Sequence, residues 1–132
     1  MAEQTNDQAE PIASLPLDLA AEEYCYLTTT GRVSGRPHEI EIWFGFRGNS
    51  VFFLSGGGES SDWVKNLRAN PSASVRIGRR TFSGRARGLV DGQEEALVRR
   101  LLAAKYQEWR EGKRLSAWAR TALPVAIDLA VD

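Results

Sequence analysis

Two short glycine-rich segments carry most of the chemistry that this chain could perform. The first, Thr30-Gly31-Arg32-Val33-Ser34-Gly35-Arg36, gathers two guanidiniums and a hydroxyl around two glycines. A guanidinium can bind phosphate through two parallel hydrogen bonds, and a serine hydroxyl can add a third donor. Glycine lets backbone amides turn toward a ligand without a Cβ clash. The second segment, Ser55-Gly56-Gly57-Gly58, leads into Asp62-Trp63-Val64-Lys65-Asn66-Leu67. Consecutive glycines suit close approach of the backbone to something flat or bulky. N–H groups at a following helix start favour negative charge. An anionic ligand fits both segments. On spacing alone an ordinary hairpin turn with solvated arginines is the commoner explanation of the first, and a flexible connection serves equally for the second. Neither segment has the glycine spacing of a dinucleotide fingerprint.

The rest of the chain lacks residues that do chemistry alone. There is one cysteine, Cys25, and one histidine, His38, so no catalytic residue and no metal site is expected. Cys25 lies in the apolar run Tyr24-Cys25-Tyr26-Leu27 and reads as a small buried thiol. Glu39 and Glu41 share a strand face with Trp43; they could do acid–base work, and a solvated exterior explains them as well. Lys plus Arg number 17 and Asp plus Glu 17, so no net field recruits nucleic acid or an anionic membrane. Positive charge is local, in Arg76, Arg79, Arg80, Arg85 and Arg87. Residues 1–16 have neither the charged start nor the apolar centre of a signal peptide. No apolar run approaches the ~20 residues of a membrane span. A cytoplasmic protein that borrows a cofactor is the expectation.

The elements that must position these segments are short. Residues 1–16 read as a disordered polar tail, and 17–132 as a single domain. Strands are expected over 24–29, 38–44, 51–54, 73–77, 81–90 and 123–131, several of them alternating apolar and polar residues. Phe46 to Ser50 reads as a hairpin turn. Ser61 or Asp62 can cap a helix that Asn70-Pro71 ends. Asp91, with Glu94 three residues later, opens a longer helix stopping near Gly112. Gly84 and Gly88 mark bulges or bends in the strand over 81–90. The four tryptophans, Trp43, Trp63, Trp109 and Trp118, either line an aromatic pocket or fill the core. Short strands joined by hairpins favour an antiparallel barrel: mainly β, six strands, with peripheral helices.

Three stretches together resemble a known family. They are Leu27-Thr28-Thr29-Thr30-Gly31-Arg32-Val33-Ser34-Gly35-Arg36-Pro37, Leu54-Ser55-Gly56-Gly57-Gly58, and Trp63-Val64-Lys65-Asn66-Leu67-Arg68-Ala69-Asn70-Pro71, continued by Val75-Arg76-Ile77-Gly78. The chain is similar there to the deazaflavin (F420)-dependent nitroreductases and quinone reductases of the flavin-type split β-barrels. The resemblance covers residues 27–90. It implies a six-stranded split barrel that holds reduced F420 and passes its hydride to a small electrophile: a quinone, a nitroaromatic or an activated alkene. It implies that Arg32, Val33, Ser34, Gly35 and Arg36 face the coenzyme's phosphate side. It further implies that Ser55, Gly56 and Gly57 approach the ring, with Trp63 and Asn66 joining from the helix. Hydride would come from the coenzyme, so the protein supplies position and electrostatics. Two departures stand out. Family members usually have Lys where Val33 stands, and many have Pro where Ser61 stands.

Other readings fit the same residues. The barrel could use FMN, whose phosphate also suits an arginine loop. The chain could instead be a non-catalytic cofactor or lipid-binding protein. The expected partner is a small-molecule substrate, and open sheet edges invite a homodimer.

Overall fold

The computed structural model describes residues 14–130. Seven strands form one antiparallel sheet: β1 (Cys25–Thr30), β2 (Pro37–Ile42), β3 (Gly45–Arg47), β4 (Ser50–Ser55), β5 (Ser72–Ile77), β6 (Arg80–Arg87) and β7 (Leu123–Leu129). Their order across the sheet is β2-β1-β5-β6-β7-β4-β3. The sheet curls into an open barrel with β2 and β3 at its edges, in the mainly β split architecture expected. Three helices accompany it: α1 (Asp62–Ala69), α2 (Gly92–Gln107) and α3 (Ala117–Thr121).

The barrel's inner face is set by alternation. In β1, Cys25, Leu27 and Thr29 are buried while Tyr26 and Thr28 turn outward. Leu27 pairs with Val75, and Val75 with Phe82. Leu15 and Leu19 close this core, and the Leu15 N–H bonds Gly48 O at 2.8 Å. Most of the polar tail expected over 1–16 lies outside the described residues. β4 does not alternate: Val51, Phe52, Phe53, Leu54 and Ser55 are all buried. Its second face lies under α2 and α3, where Phe52 and Leu54 pack with Val98, Leu102 and Ala126. A strand covered on both sides has no solvent face to keep polar.

The strand count corrects the expectation of six. The run expected as one strand over 38–44 ends at Ile42, and a further strand, β3, begins at Gly45. The cause lies on α2. The Tyr106 hydroxyl accepts from the Phe44 N–H at 3.0 Å and donates to Glu23 O at 2.8 Å, and Lys105 Nζ reaches Phe44 O at 3.2 Å. Helix side chains thus take the Phe44 backbone groups from any neighbouring strand. Gly45 lets the backbone pass close under α2: a Cβ there would lie 2.8 Å from Leu101 Cδ2. The longer helix also ends earlier than Gly112, at Gln107, with Glu108 left-handed at φ 56°. Its start is as expected: Asp91 accepts from the Glu94 N–H at 3.0 Å. No helix among the described residues is long and apolar enough to cross a membrane.

Candidate functional site

The antiparallel pairing of β1 with β2 places Thr29 opposite His38 at the open end of the barrel. The loop between them folds back on itself. Gly31 N–H donates to Arg36 O at 2.8 Å, Gly35 N–H donates to Gly31 O at 2.8 Å, and Gly35 has a φ of 73°. Helix α1 crosses the same end, anchored by Val64 and Leu67 in the core and by Trp63 edge-on to Phe53, centroids 5.9 Å apart.

A chain of polar contacts ties loop, strand and helix together. Asn66, 4% exposed, donates from Nδ2 to Thr29 Oγ1 at 3.1 Å. Its Oδ1 accepts from the Arg32 N–H at 3.1 Å and from Arg32 Nη1 at 2.8 Å. Arg32 Nη2 meets Asp62 Oδ1 at 3.1 Å, and Nη1 lies 3.4 Å from Asp62 O. A connected network of this kind ties the loop to β1 and α1 in one geometry. Arg32 is thereby bound to the protein first, with its Nε and one Nη2 hydrogen left for a ligand.

Between loop, β2 and helix lies an open cavity of about 410 Å³, lined by Thr29, Gly31, Arg32, Val33, Ser34, His38, Glu39, Ile40, Asp62, Trp63 and Asn66. The walls combine apolar Val33, Ile40 and Trp63 with convergent polar groups, the usual make-up of a cofactor site. Val33 is 93% exposed. Ser34 Oγ accepts from the Arg36 N–H at 3.1 Å and lies 3.3 Å from His38 Nε2.

Of the residues expected in a site, Arg32, Val33, Ser34, Trp63 and Asn66 meet at this cavity. Gly35 and Arg36 form the exposed outer turn of its loop. Ser55, Gly56 and Gly57 lie apart from the lining. Ser55 is buried, its hydroxyl 3.0 Å from Gly58 O and 2.8 Å from Ser61 Oγ. Gly56 stands against Trp118: a Cβ there would lie 3.6 Å from the indole. The tryptophans divide accordingly. Trp63 lines the cavity, while Trp43 stacks on Tyr106 at 4.3 Å and meets Trp118 edge-on at 5.4 Å. Thr29, His38, Ile40 and Asp62 were not among the expected site residues, while Glu39, weighed above for acid–base work, also lines the cavity. The alternation of β2 put His38 and Ile40 on one face, which was the available signal.

Other titratable groups lie elsewhere. Cys25 is wholly buried, and desolvation pushes its thiol up to about 12, so it is no nucleophile. Burial lowers the Lys105 ammonium to about 8, opposed by Cys25 and Glu22. A second cavity of about 370 Å³ lies between α1 and the β6–β7 ends. There the Arg87 guanidinium is already held by Glu94 and Asp128, each at 2.8 Å.

The fold is shared with solved structures of varied cargo. One, described as an F420-H2 dependent reductase (FDR-A), is 23% identical with a TM-score of 0.59, covering 83% of this chain and 94% of its own. The heme storage protein HutZ of Vibrio cholerae is 16% identical with a TM-score of 0.61, covering 86% and 84%. A FAD-binding protein of Mesorhizobium loti is 21% identical with a TM-score of 0.54, over 86% and 84%. These likenesses define the split-barrel class, and the fold alone does not select among its ligands. The sequence is more specific. It matches the F420H(2)-dependent quinone reductase family over residues 3–130, and the chain belongs to that family. It is an F420-dependent oxidoreductase.

Proposed function

We propose that this chain holds reduced F420 in the cavity between the Gly31–Arg36 loop and α1 and catalyses hydride transfer to a small electrophile. Quinones, nitroaromatics and activated alkenes are the acceptor classes. The observation that carries this reading is the cavity itself. Polar Arg32, Ser34 and His38 stand beside apolar Val33, Ile40 and Trp63 around an open space, as an anionic tail attached to a flat ring requires. Bound there, reduced F420 would supply the hydride. The protein's own residues bind and orient. Arg32, fixed by Asn66 and Asp62, sets the loop; Ser34 and Arg36 offer donors to a phosphate; Val33, Ile40 and Trp63 give a ring an apolar wall. Ser55 to Gly57 contribute through the shape of the second loop, beside Trp118. The open edges of β2 and β3 suit pairing with a second copy.

The test follows reduced F420 by absorbance with a benzoquinone, a nitroaromatic and an enone offered separately. Enzyme-dependent oxidation with at least one acceptor is expected. Tight F420 binding without turnover of any acceptor would make the protein a carrier. Copurification with FMN that F420 does not displace would give the site to flavin.

A further inference from the structure

The charged groups that line the cavity are Arg32, Glu39 and Asp62, with His38 as the remaining group able to carry positive charge. Arg32 is the obvious partner for an anion, yet Asp62 at 3.1 Å offsets its charge and three of its contacts are internal. Glu39 adds negative charge, only loosely countered by Arg76 at 3.8 Å. Val33 brings no charge. The lining is thus poor in free positive charge for a site whose ligand is an anion.

His38 is built into the loop. A Cβ on Gly31 would lie 2.5 Å from His38 Nε2, 2.7 Å from its Cδ2 and 2.7 Å from Ser34 Oγ. Any residue but glycine at 31 would displace the ring. The Nε2–Cδ2 side of the imidazole therefore lies against Gly31, with Ser34 Oγ 3.3 Å from Nε2. The Ser34 oxygen already accepts the Arg36 N–H at 3.1 Å. Ser34 Oγ and His38 Nε2 share one hydrogen bond in which either can donate, so one donor of the pair is left for a ligand whichever tautomer the ring takes.

We propose that His38, set by Ser34 and admitted by Gly31, is a further anion contact of this cavity and joins Ser34 and Arg36 on the phosphate of the coenzyme. The inference rests on the cofactor reading above, and the experiment separates the two. Binding is titrated by fluorescence with F420 and with the same deazaflavin truncated before its phosphate, for the wild type, His38→Ala and His38→Gln. Melting temperature is measured with and without inorganic pyrophosphate. His38→Ala is expected to weaken F420 about tenfold, the low end for a hydrogen bond to a charged group because the ring is exposed. The truncated deazaflavin should bind both proteins equally. His38→Gln, whose amide can also reach Ser34, should recover part of the F420 affinity. Pyrophosphate should raise the melting temperature of the wild type more than that of His38→Ala. An F420 affinity unchanged in His38→Ala, or an equal loss for both deazaflavins, overturns the proposal; the second result would make His38 a brace for the loop. If the wild type binds neither deazaflavin, the cofactor reading fails, and the pyrophosphate comparison alone decides whether His38 contacts anions.

Discussion

Replacing Asn66 by Ala should loosen the loop and the protein together. The side chain makes two contacts through Oδ1, to the Arg32 N–H and Nη1, and one through Nδ2, to Thr29 Oγ1. Thr29 is itself buried, so its hydroxyl would lose a partner that water cannot easily replace. The neutral contacts contribute about 1 kcal/mol each. The contact to Nη1 contributes near the low end of about 1.5–3 kcal/mol, since Arg32 keeps Asp62 and is partly solvated. The contacts share one side chain and do not add fully. Alanine's better helix propensity recovers about 0.5 kcal/mol. The net loss is about 2 kcal/mol, or about 7 °C in melting temperature for a chain of this size. Thermal and urea unfolding of Asn66→Ala beside Lys65→Ala measure it, since Lys65 is exposed on the same helix and its loss should stay within about 0.5 kcal/mol. F420 affinity should fall in the first variant and hold in the second. A melting shift for Asn66→Ala no larger than that for Lys65→Ala would show that the loop holds its shape without this network.

Three further outcomes follow from named groups. Val33→Lys should tighten F420 binding by about 0.5–1 kcal/mol at low salt, with the gain shrinking as salt is added; no gain in a low-salt titration would place the anion away from this loop. Arg36→Ala should weaken F420 about tenfold with a melting shift below about 2 °C, because the loop uses Arg36 through its backbone; a large melting shift with unchanged binding would make it structural. Lys105 bears on pH dependence. Below pH about 8 its ammonium is charged in both folded and unfolded chains and carries the full cost of burial. Above it the folded form has released a proton that the unfolded form still holds, so stability should rise from pH 8 to 9. Above 9 the Cys25 thiol works the other way, since its folded value of about 12 keeps a proton that the unfolded thiol loses. Lys105→Met should stabilise the protein at pH 7 and remove the rise from 8 to 9; an unchanged pH–melting profile would refute this account of Lys105.

Much of this was legible in the sequence because it is local. Alternation in β1 and β5, the Asp91–Glu94 start of α2 and the Asn70-Pro71 stop of α1 depend on neighbours within a few residues. The loop of residues 30–36 was legible as a donor-bearing turn. What it does with its donors was not, because Arg32 is answered by Asp62 and Asn66, thirty and more residues away. The break at Trp43-Phe44 was hidden for the same reason: Lys105 and Tyr106 on α2 capture the Phe44 backbone. His38 read as one more strand residue, since the Gly31 clearance that admits its ring exists only once the hairpin has folded back. Three consecutive glycines at 56–58 suggested close approach to a ligand. In the structure Gly56 stands against Trp118, a contact no local pattern announces.

The central claim is that the Gly31–Arg36 loop and α1 form the site of an F420 enzyme. Side-by-side titration of the purified protein with F420 and FMN, repeated on Arg32→Ala, tests it most directly. The account predicts saturable, one-to-one F420 binding that outcompetes FMN and is lost or strongly weakened in Arg32→Ala. Stoichiometric FMN that F420 cannot displace, or F420 binding that Arg32→Ala leaves untouched, would contradict it.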